Sequence, residues 1–467
     1  MTRKTAKTIC RGIDDFGRGI VSVEGTTAFV PNLLPGEEAY VTTVFSYGKL
    51  KEAILKQRLS TSKDRVKPLC PYYPKCGGCQ IRHLSYQKQL EYKTEKVKDL
   101  LHKFGGIDIK VEPCIGLAEP TRFRNKVQKP VKFVPKYNKI CAGFYQNGTH
   151  DLIPIQDCLS ESELSNRITN LVLSLLRKYH YPAYDEDKQT GLVRHILIKT
   201  SSDLSMALVT LVVTTPLFKR RQEFAKELRS KCKEIRGVVL NINDRKTNVI
   251  LGEKEVRLAG YDKISDKIFG KTFLISSKSF YQTNSRQIEV LYGKAREYAS
   301  LKPTDDVLDA YCGTGTIGLC LADKVHSVTG VEIVKDAVKD AKLNAKINKI
   351  ENATFIEEDC TKYRLENEGK FSLVIRDPPR RGTTPEFIHA LEKRKPERVV
   401  YVSCDPVTLA RDLKLRKDSF EILKVQPVDR FPNSLHVETG LVKKPEIIDI
   451  FRNGFLDERE EKFQIER

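Results

Sequence analysis

The chain has 467 residues, 40% of them hydrophobic and 30% charged, and a formal net charge of +20. That length accommodates several domains and excludes a lone small module, while so cationic a folded chain takes nucleic acid as its expected partner, through phosphate contacts. The N-terminus has charge without an apolar stretch behind it, and the longest apolar run, around Met206 to Phe218, is broken by threonines and Pro216; the reading is cytoplasmic, with no secretory signal and no membrane.

Residues 1–60 read as short strands (Gly17 to Val23, Thr27 to Val30, Glu38 to Val44) separated by turn signals such as Leu34-Pro-Gly-Glu37. Even spacing of short strands predicts a small β-barrel, either OB-like and suited to RNA or of another small-barrel type. A central α+β domain is expected over 61–270. It opens with Cys70, Cys76 and Cys79 in a C-x5-C-x2-C loop, and Cys158 is the candidate fourth ligand. In a reducing compartment clustered cysteines point to a metal rather than to disulfides, and four thiolates suit either zinc or a 4Fe-4S cluster. A lysine-rich amphipathic helix is predicted over about 85–104, closed by Gly105-Gly106 and placed against the catalytic domain. Arg122, Arg124, Asn125, Lys126, Lys129 and Lys132 form either an RNA-contacting basic patch or a solvated edge strand.

From 271 to 450 strands alternate with helices, the pattern of a doubly wound α/β sheet. Val307 to Leu319 is a strand, a glycine turn at Gly313 and Gly315, then a helix. Glu332 ends a second strand, where its carboxylate can accept ribose hydroxyls. Asp359 follows a third strand, Asp377-Pro-Pro a fourth, and Cys404 a fifth spanning Val399 to Val402. That order resembles Rossmann-like, S-adenosylmethionine-dependent class I methyltransferases. Arg380, not an aromatic, follows Asp377-Pro-Pro, which disfavours methylation of an exocyclic nitrogen. Methylation of a pyrimidine C5 instead needs a thiolate to add at C6 and a base to remove the C5 proton. Cys404 and Glu438 supply that pair. Residues 451–467 read as a charged tail without an assigned role.

Ser403-Cys-Asp-Pro406, Asp377-Pro-Pro-Arg380, Phe280-Tyr-Gln-Thr-Asn284, His436-Val-Glu438 and the four cysteines together resemble the RNA (uracil-5-)-methyltransferase family, in its iron-sulfur 23S ribosomal RNA branch with an N-terminal TRAM-like domain. The resemblance implies Cys404 as nucleophile, Glu438 as general base and a 4Fe-4S cluster on Cys70, Cys76, Cys79 and Cys158. It further implies a donor site lined by Gln282, Tyr311, Thr316, Glu332, Asp359 and Asp377, with ribosomal RNA as substrate and no obligate protein partner. The alternatives are a tRNA uracil-5-methyltransferase and a non-catalytic RNA-binding protein or chaperone. The cleft is expected to lower the Cys404 thiol once the sulfonium donor is bound.

Overall fold

The computed structural model describes residues 4–47, 50–247, 249–367, 369–415, 420–445 and 464–465; the tail read over 451–467 lies outside the described residues except for Gln464 and Ile465. The chain forms two units. The first comprises Met1–Tyr92, Phe144–Ile155 and Phe431–Leu435, and the second Lys93–Gly143, Gln156–Arg430 and His436–Arg467. Among the described residues no helix is long and apolar enough to cross a membrane.

In the first unit, β1 (Thr5–Ile9), β2 (Gly12–Ile13), β3 (Arg18–Val23), β4 (Thr26–Pro31), β5 (Glu38–Tyr47) and β6 (Leu50–Arg58) form a curled sheet in the order β1-β5-β6-β4-β3-β2. Period-two patterning explains its core: Val21 and Val23 of β3 point inward with Ala28, Val30 and Val41. The turn at Leu34-Pro-Gly-Glu37 brings in one carboxylate. Glu37 is fully buried, accepts the Leu34 and Ser62 N–H groups at 3.0 and 3.2 Å, and ion-pairs with Arg58 and Arg65 at 3.1 and 2.5 Å.

The lysine-rich helix is α1 (Tyr86–Leu100), continued by a π-helical turn at Leu101–Gly105 that ends on Gly106 in the left-handed region. Next come β7 (Lys126–Val134), β8 (Lys139–Tyr145), β9 (Leu152–Pro154), α2 (Glu163–Lys178), β10 (Val193–Thr200), β11 (Ala207–Val213), α3 (Arg221–Lys231), β12 (Ile235–Ile242) and β13 (Lys254–Gly260). In the second unit these strands run β13-β12-β11-β10-β7-β8. Ile168, Val172 and Leu176 of α2 and Phe224 and Leu228 of α3 pack on Ile196, Ile198 and Val209.

This sheet corrects the edge-strand reading of the 122–132 segment. β7 is an interior strand between β10 and β8, so it is no edge. Lys129 is fully buried against the equally buried Glu161 at 2.6 Å, and Arg122 is held by Asp157 at 2.5 Å. Lys129 and Arg122 are thus engaged within the fold, while Arg124, Lys126 and Lys132 are half-buried.

A hairpin of β14 (Lys263–Ile268) and β15 (Lys271–Ser276) leads to α4 (Ser285–Ala299) and the last sheet. Its elements are β16 (Asp306–Ala310), α5 (Thr316–Leu321), β17 (Ser327–Glu332), α6 (Lys335–Ile347), β18 (Ala353–Glu357), α7 (Cys360–Glu366), β19 (Leu373–Arg376), α8 (Pro385–Arg394), β20 (Arg398–Ser403), α9 (Pro406–Lys414), β21 (Phe420–Val428) and β22 (Glu438–Pro445). The strand order is β18-β17-β16-β19-β20-β22-β21, five parallel strands followed by β22, which is antiparallel to both β20 and β21. Alternation sorts neighbours to opposite faces. Val307, Ile375 and Val400 meet α4 and α5 residues, whereas Leu308, Val374 and Val399 meet Tyr363 of α7 and Phe387 of α8.

Candidate active site

The thiol is delivered by β20, whose β-branched and aromatic residues are all buried. Cys404 follows directly, and Asp405 then caps α9 by accepting the Val407 N–H at 2.9 Å, so the chain turns sharply at the cysteine. Ser403 pairs with Thr439 of the antiparallel β22. Cys404 follows Ser403 and Glu438 precedes Thr439, so the two residues flank that pair, and the Glu438 charge is felt at the Cys404 thiol. On its other side Glu438 pairs with Val428, the last residue of β21.

Two residues beyond Val428 lies Arg430, wholly buried. Its guanidinium ion-pairs with Glu438 through one terminal nitrogen and donates to Gln282 Oε1 through the other. The backbone beneath is pinned from α4. Asn284 caps that helix and donates to the Arg430 carbonyl at 3.0 Å, while Gln287 donates to the Asp429 carbonyl at 3.1 Å. Asp429 and Lys93 form a fully buried ion pair at 2.5 Å. Thus Gln282 and Glu438, 156 positions apart in sequence, share one arginine.

The electrostatics run against part of the expectation. Burial, followed by the Glu438 charge, pushes the Cys404 thiol up to about 11; Arg380, hydrogen-bonded to the sulfur, pulls the other way without prevailing. The chain's own groups therefore keep this thiol protonated, and any lowering falls to substrate and donor. Burial also raises the Glu438 carboxyl, opposed by Arg430 and Arg380. Arg380 in addition contacts His436 Nδ1 at 3.2 Å.

At the other end of the same sheet edge, Glu332 accepts the Gly313 N–H at 3.1 Å and the Val334 N–H at 2.9 Å, which sets the glycine turn. Gly315 has φ of +76°, and a Cβ there would come within 2.8 Å of Phe355. Tyr311 holds φ of +62° as a non-glycine, a strained conformation of the kind that gathers at functional sites. Thr316 opens α5, with its hydroxyl 3.2 Å from that of Thr314. Asp377 is buried, its N–H directed to the Ala310 carbonyl. Asp359 caps α7, accepting the Thr361 and Lys362 N–H groups at 2.9 and 3.0 Å. The Gln282 Nε2 is buried and has no protein partner among the described residues. This arrangement fits a nucleoside-bearing donor: a glycine turn that admits a ligand, a carboxylate at the second strand end, and an orphaned amide donor.

The cysteine loop is less conclusive. Cys70, Cys76 and Cys79 belong to the first unit and Cys158 to the second. Cys79 Sγ accepts from Arg82 Nε at 3.1 Å and Cys76 Sγ from the Gly78 N–H at 3.4 Å, while the Gly77 N–H donates to the Tyr145 carbonyl. Among the described residues no three His, Cys, Asp or Glu side chains converge as an ion would require.

Arg430 was not singled out from the sequence. Its available signal is a charged Asp429-Arg430 pair placed directly after an apolar strand and before Phe431-Pro432.

Residues 85–445 match the family model described as tRNA (Uracil-5-)-methyltransferase. A Clostridium tetani protein described as an uncharacterized RNA methyltransferase is 40% identical, the match covering 92% of this chain and 94% of that one. One from Oceanobacillus iheyensis, described in the same words, is 41% identical over 90% and 92%. Among solved structures, the Pyrococcus abyssi tRNA (uracil-54, C5)-methyltransferase in complex with S-adenosyl-L-homocysteine superposes with a TM-score of 0.75 at 25% identity, covering 95% of this chain and all of that one.

Proposed function

The chain belongs to the tRNA (uracil-5-)-methyltransferase family and is an RNA methyltransferase; from that premise we propose that it methylates C5 of a uridine in 23S ribosomal RNA through a covalent Cys404–C6 adduct. The observation that supports this reading is the pairing of Ser403 with Thr439, which brings together the ends of β20 and β22 and with them Cys404 and the buried Glu438. Bound S-adenosylmethionine supplies a methyl group from its sulfonium centre and leaves as the thioether.

Cys404 adds to C6 as thiolate, which places an enolate electron pair at C5 for the methyl group. Glu438 then takes the C5 proton, and the returning electron pair expels the Cys404 sulfur. The raised carboxyl of Glu438 suits that step, because a base works best when its proton affinity approaches the working pH. Arg380 is the chain's own stabiliser of the thiolate. Gln282, Tyr311, Thr316, Glu332, Asp359 and Asp377 are assigned to the donor. The uridine must leave its stack to reach the strand ends, so an unpaired or flipped base is the substrate.

Ribosomal RNA is favoured over tRNA by the resemblance of the cysteine loop and N-terminal strands to the iron-sulfur branch; the tRNA reading has the name of the matched structure on its side. The same resemblance assigns a 4Fe-4S cluster, or less favourably zinc, to Cys70, Cys76, Cys79 and Cys158. Iron and sulfide analysis of anaerobically purified protein decides it, and zinc alone refutes the cluster.

The test of function is to incubate the protein with S-adenosylmethionine and 5-fluorouridine-containing 23S ribosomal RNA fragments or tRNA transcripts. Fluorine at C5 cannot leave as a proton, so a denaturation-resistant adduct is expected on ribosomal RNA and absent from Cys404→Ala. Adducts on tRNA alone transfer the proposal to tRNA, and adducts with neither RNA overturn it.

A further inference from the structure

Glu438 and Gln282, read as the base and a donor-side residue, are joined through Arg430. We propose that Arg430 is a positioning residue that keeps the Glu438 carboxylate ionised and aimed for C5-proton removal while its other arm fixes Gln282 on the donor side. The inference rests on the reading of Glu438 as the base.

Three observations carry it. Arg430 is completely buried, so its charge must be answered locally, and Glu438 is a carboxylate that answers it. Its terminal nitrogens diverge to two acceptors, Glu438 Oε2 and Gln282 Oε1, which a planar fork can serve at once and a point charge cannot. Its backbone is fixed through Asn284 and Gln287, so the fork cannot drift. The charged and titratable groups facing Glu438 are Arg430 beyond β21, Arg380 beyond β19 and Cys404 beyond β20; Gln282 is neutral. Burial favours the protonated acid, which can remove no proton. Arg430 is the stronger of the two cations opposing that.

Gln282 gains a second property from the same contact. With its oxygen engaged by Arg430, its amide orientation is set, and the buried Nε2 is presented as a donor. Loss of the arginine should therefore disturb proton removal and donor binding together. Loss of charge alone and loss of the fork alone should separate them.

The experiment uses total RNA from cells lacking this gene, which carries the natural target unmodified, with radiolabelled S-adenosylmethionine in single turnover. Formation and resolution of the methylated protein–RNA adduct are followed on denaturing gels across pH. For Arg430→Met the adduct is expected to accumulate, with the acid limb of its resolution rate moved up by about one pH unit or more, a roughly tenfold slowing at a fixed pH below the limb. Arg430→Lys should restore the limb but not the donor KM, and Gln282→Ala should raise the donor KM with the limb unmoved. Glu438→Gln should hold the adduct at every pH.

A folded Arg430→Met protein with the wild-type limb, alongside a blocked Glu438→Gln, overturns this inference alone. A Glu438→Gln protein that resolves the adduct normally overturns the base assignment and the inference with it. Should Arg430→Met lack a cooperative melting transition, Arg430→Lys decides alone: loss of limb and KM in step, tracking stability, marks Arg430 as merely structural.

Discussion

Glu37 and Glu438 are both buried carboxylates facing arginine, one in each unit, yet they are set for opposite ends. Burial pushes the Glu37 carboxyl up, but hydrogen bonds from Arg65, Leu34 and Ser62 outweigh it and hold the group below the ordinary range. Glu438, by contrast, accepts from Arg430 alone among the described residues, and burial wins. A carboxylate surrounded by fixed donors is a structural anchor with little affinity for a proton. One left short of donors retains that affinity, which is what a base needs.

The largest expected effect breaks this comparison at the chemical end. Glu438→Gln should lower turnover per folded molecule by roughly 100-fold to 10,000-fold, the range for a positioned base, with the adduct persisting on denaturing gels. Glu37→Gln should leave turnover per folded molecule unchanged and strand two arginines, at about 3 to 5 kcal/mol of stability by urea titration. Turnover lost equally in both variants would mean that the carboxylates do not differ in kind.

Their pH dependence should differ in sign. Glu37 is lowered on folding, so its contribution is present above the ordinary carboxyl range and is lost as pH falls through its folded value. Glu438 is raised, so its contribution is full below that range and lost as pH rises through the folded value. Accordingly, the destabilisation caused by Glu37→Gln should grow with pH up to about 5 and be level above it, where an ordinary carboxyl is fully ionised, and that caused by Glu438→Gln should shrink as pH rises above about 4. Chemical denaturation across this range measures both slopes.

The sequence carries local information about this arrangement well and long-range pairing poorly. The strand expected over Val399 to Val402 is β20 from Arg398 to Ser403, and the third strand expected before Asp359 is β18 from Ala353 to Glu357, because β-branched runs between polar stops declare themselves. Cys404 and Asp377 at strand ends were legible for the same reason. The environment of Lys129 was not. A lysine in a charged stretch reads as solvated, and only the pairing of β7 on both sides buries it against Glu161. Arg430 was hidden likewise, since its two acceptors come from β22 and from the loop before α4. Nor does a cysteine spacing disclose the proton affinity of a thiol, which depends on how deeply Cys404 is set and on the charge of Glu438.

Asp359 gives the smallest effect and the finest form of the comparison. It is exposed, and both of its capping hydrogen bonds land on Oδ1, so Oδ2 accepts from none of the described residues. If capping is its whole role, Asp359→Asn should be silent, since asparagine caps as well as aspartate, and Asp359→Ala should cost about 1 kcal/mol. If Oδ2 also serves the donor, Asp359→Asn should raise the donor KM severalfold at unchanged stability, because the amide offers a donor where the carboxylate offered an acceptor. The second outcome is expected from its place after β18, at the strand ends where Glu332 and Asp377 also lie. Its carboxylate would then stand between the other two: satisfied on one oxygen like Glu37, and open for chemistry on the other like Glu438.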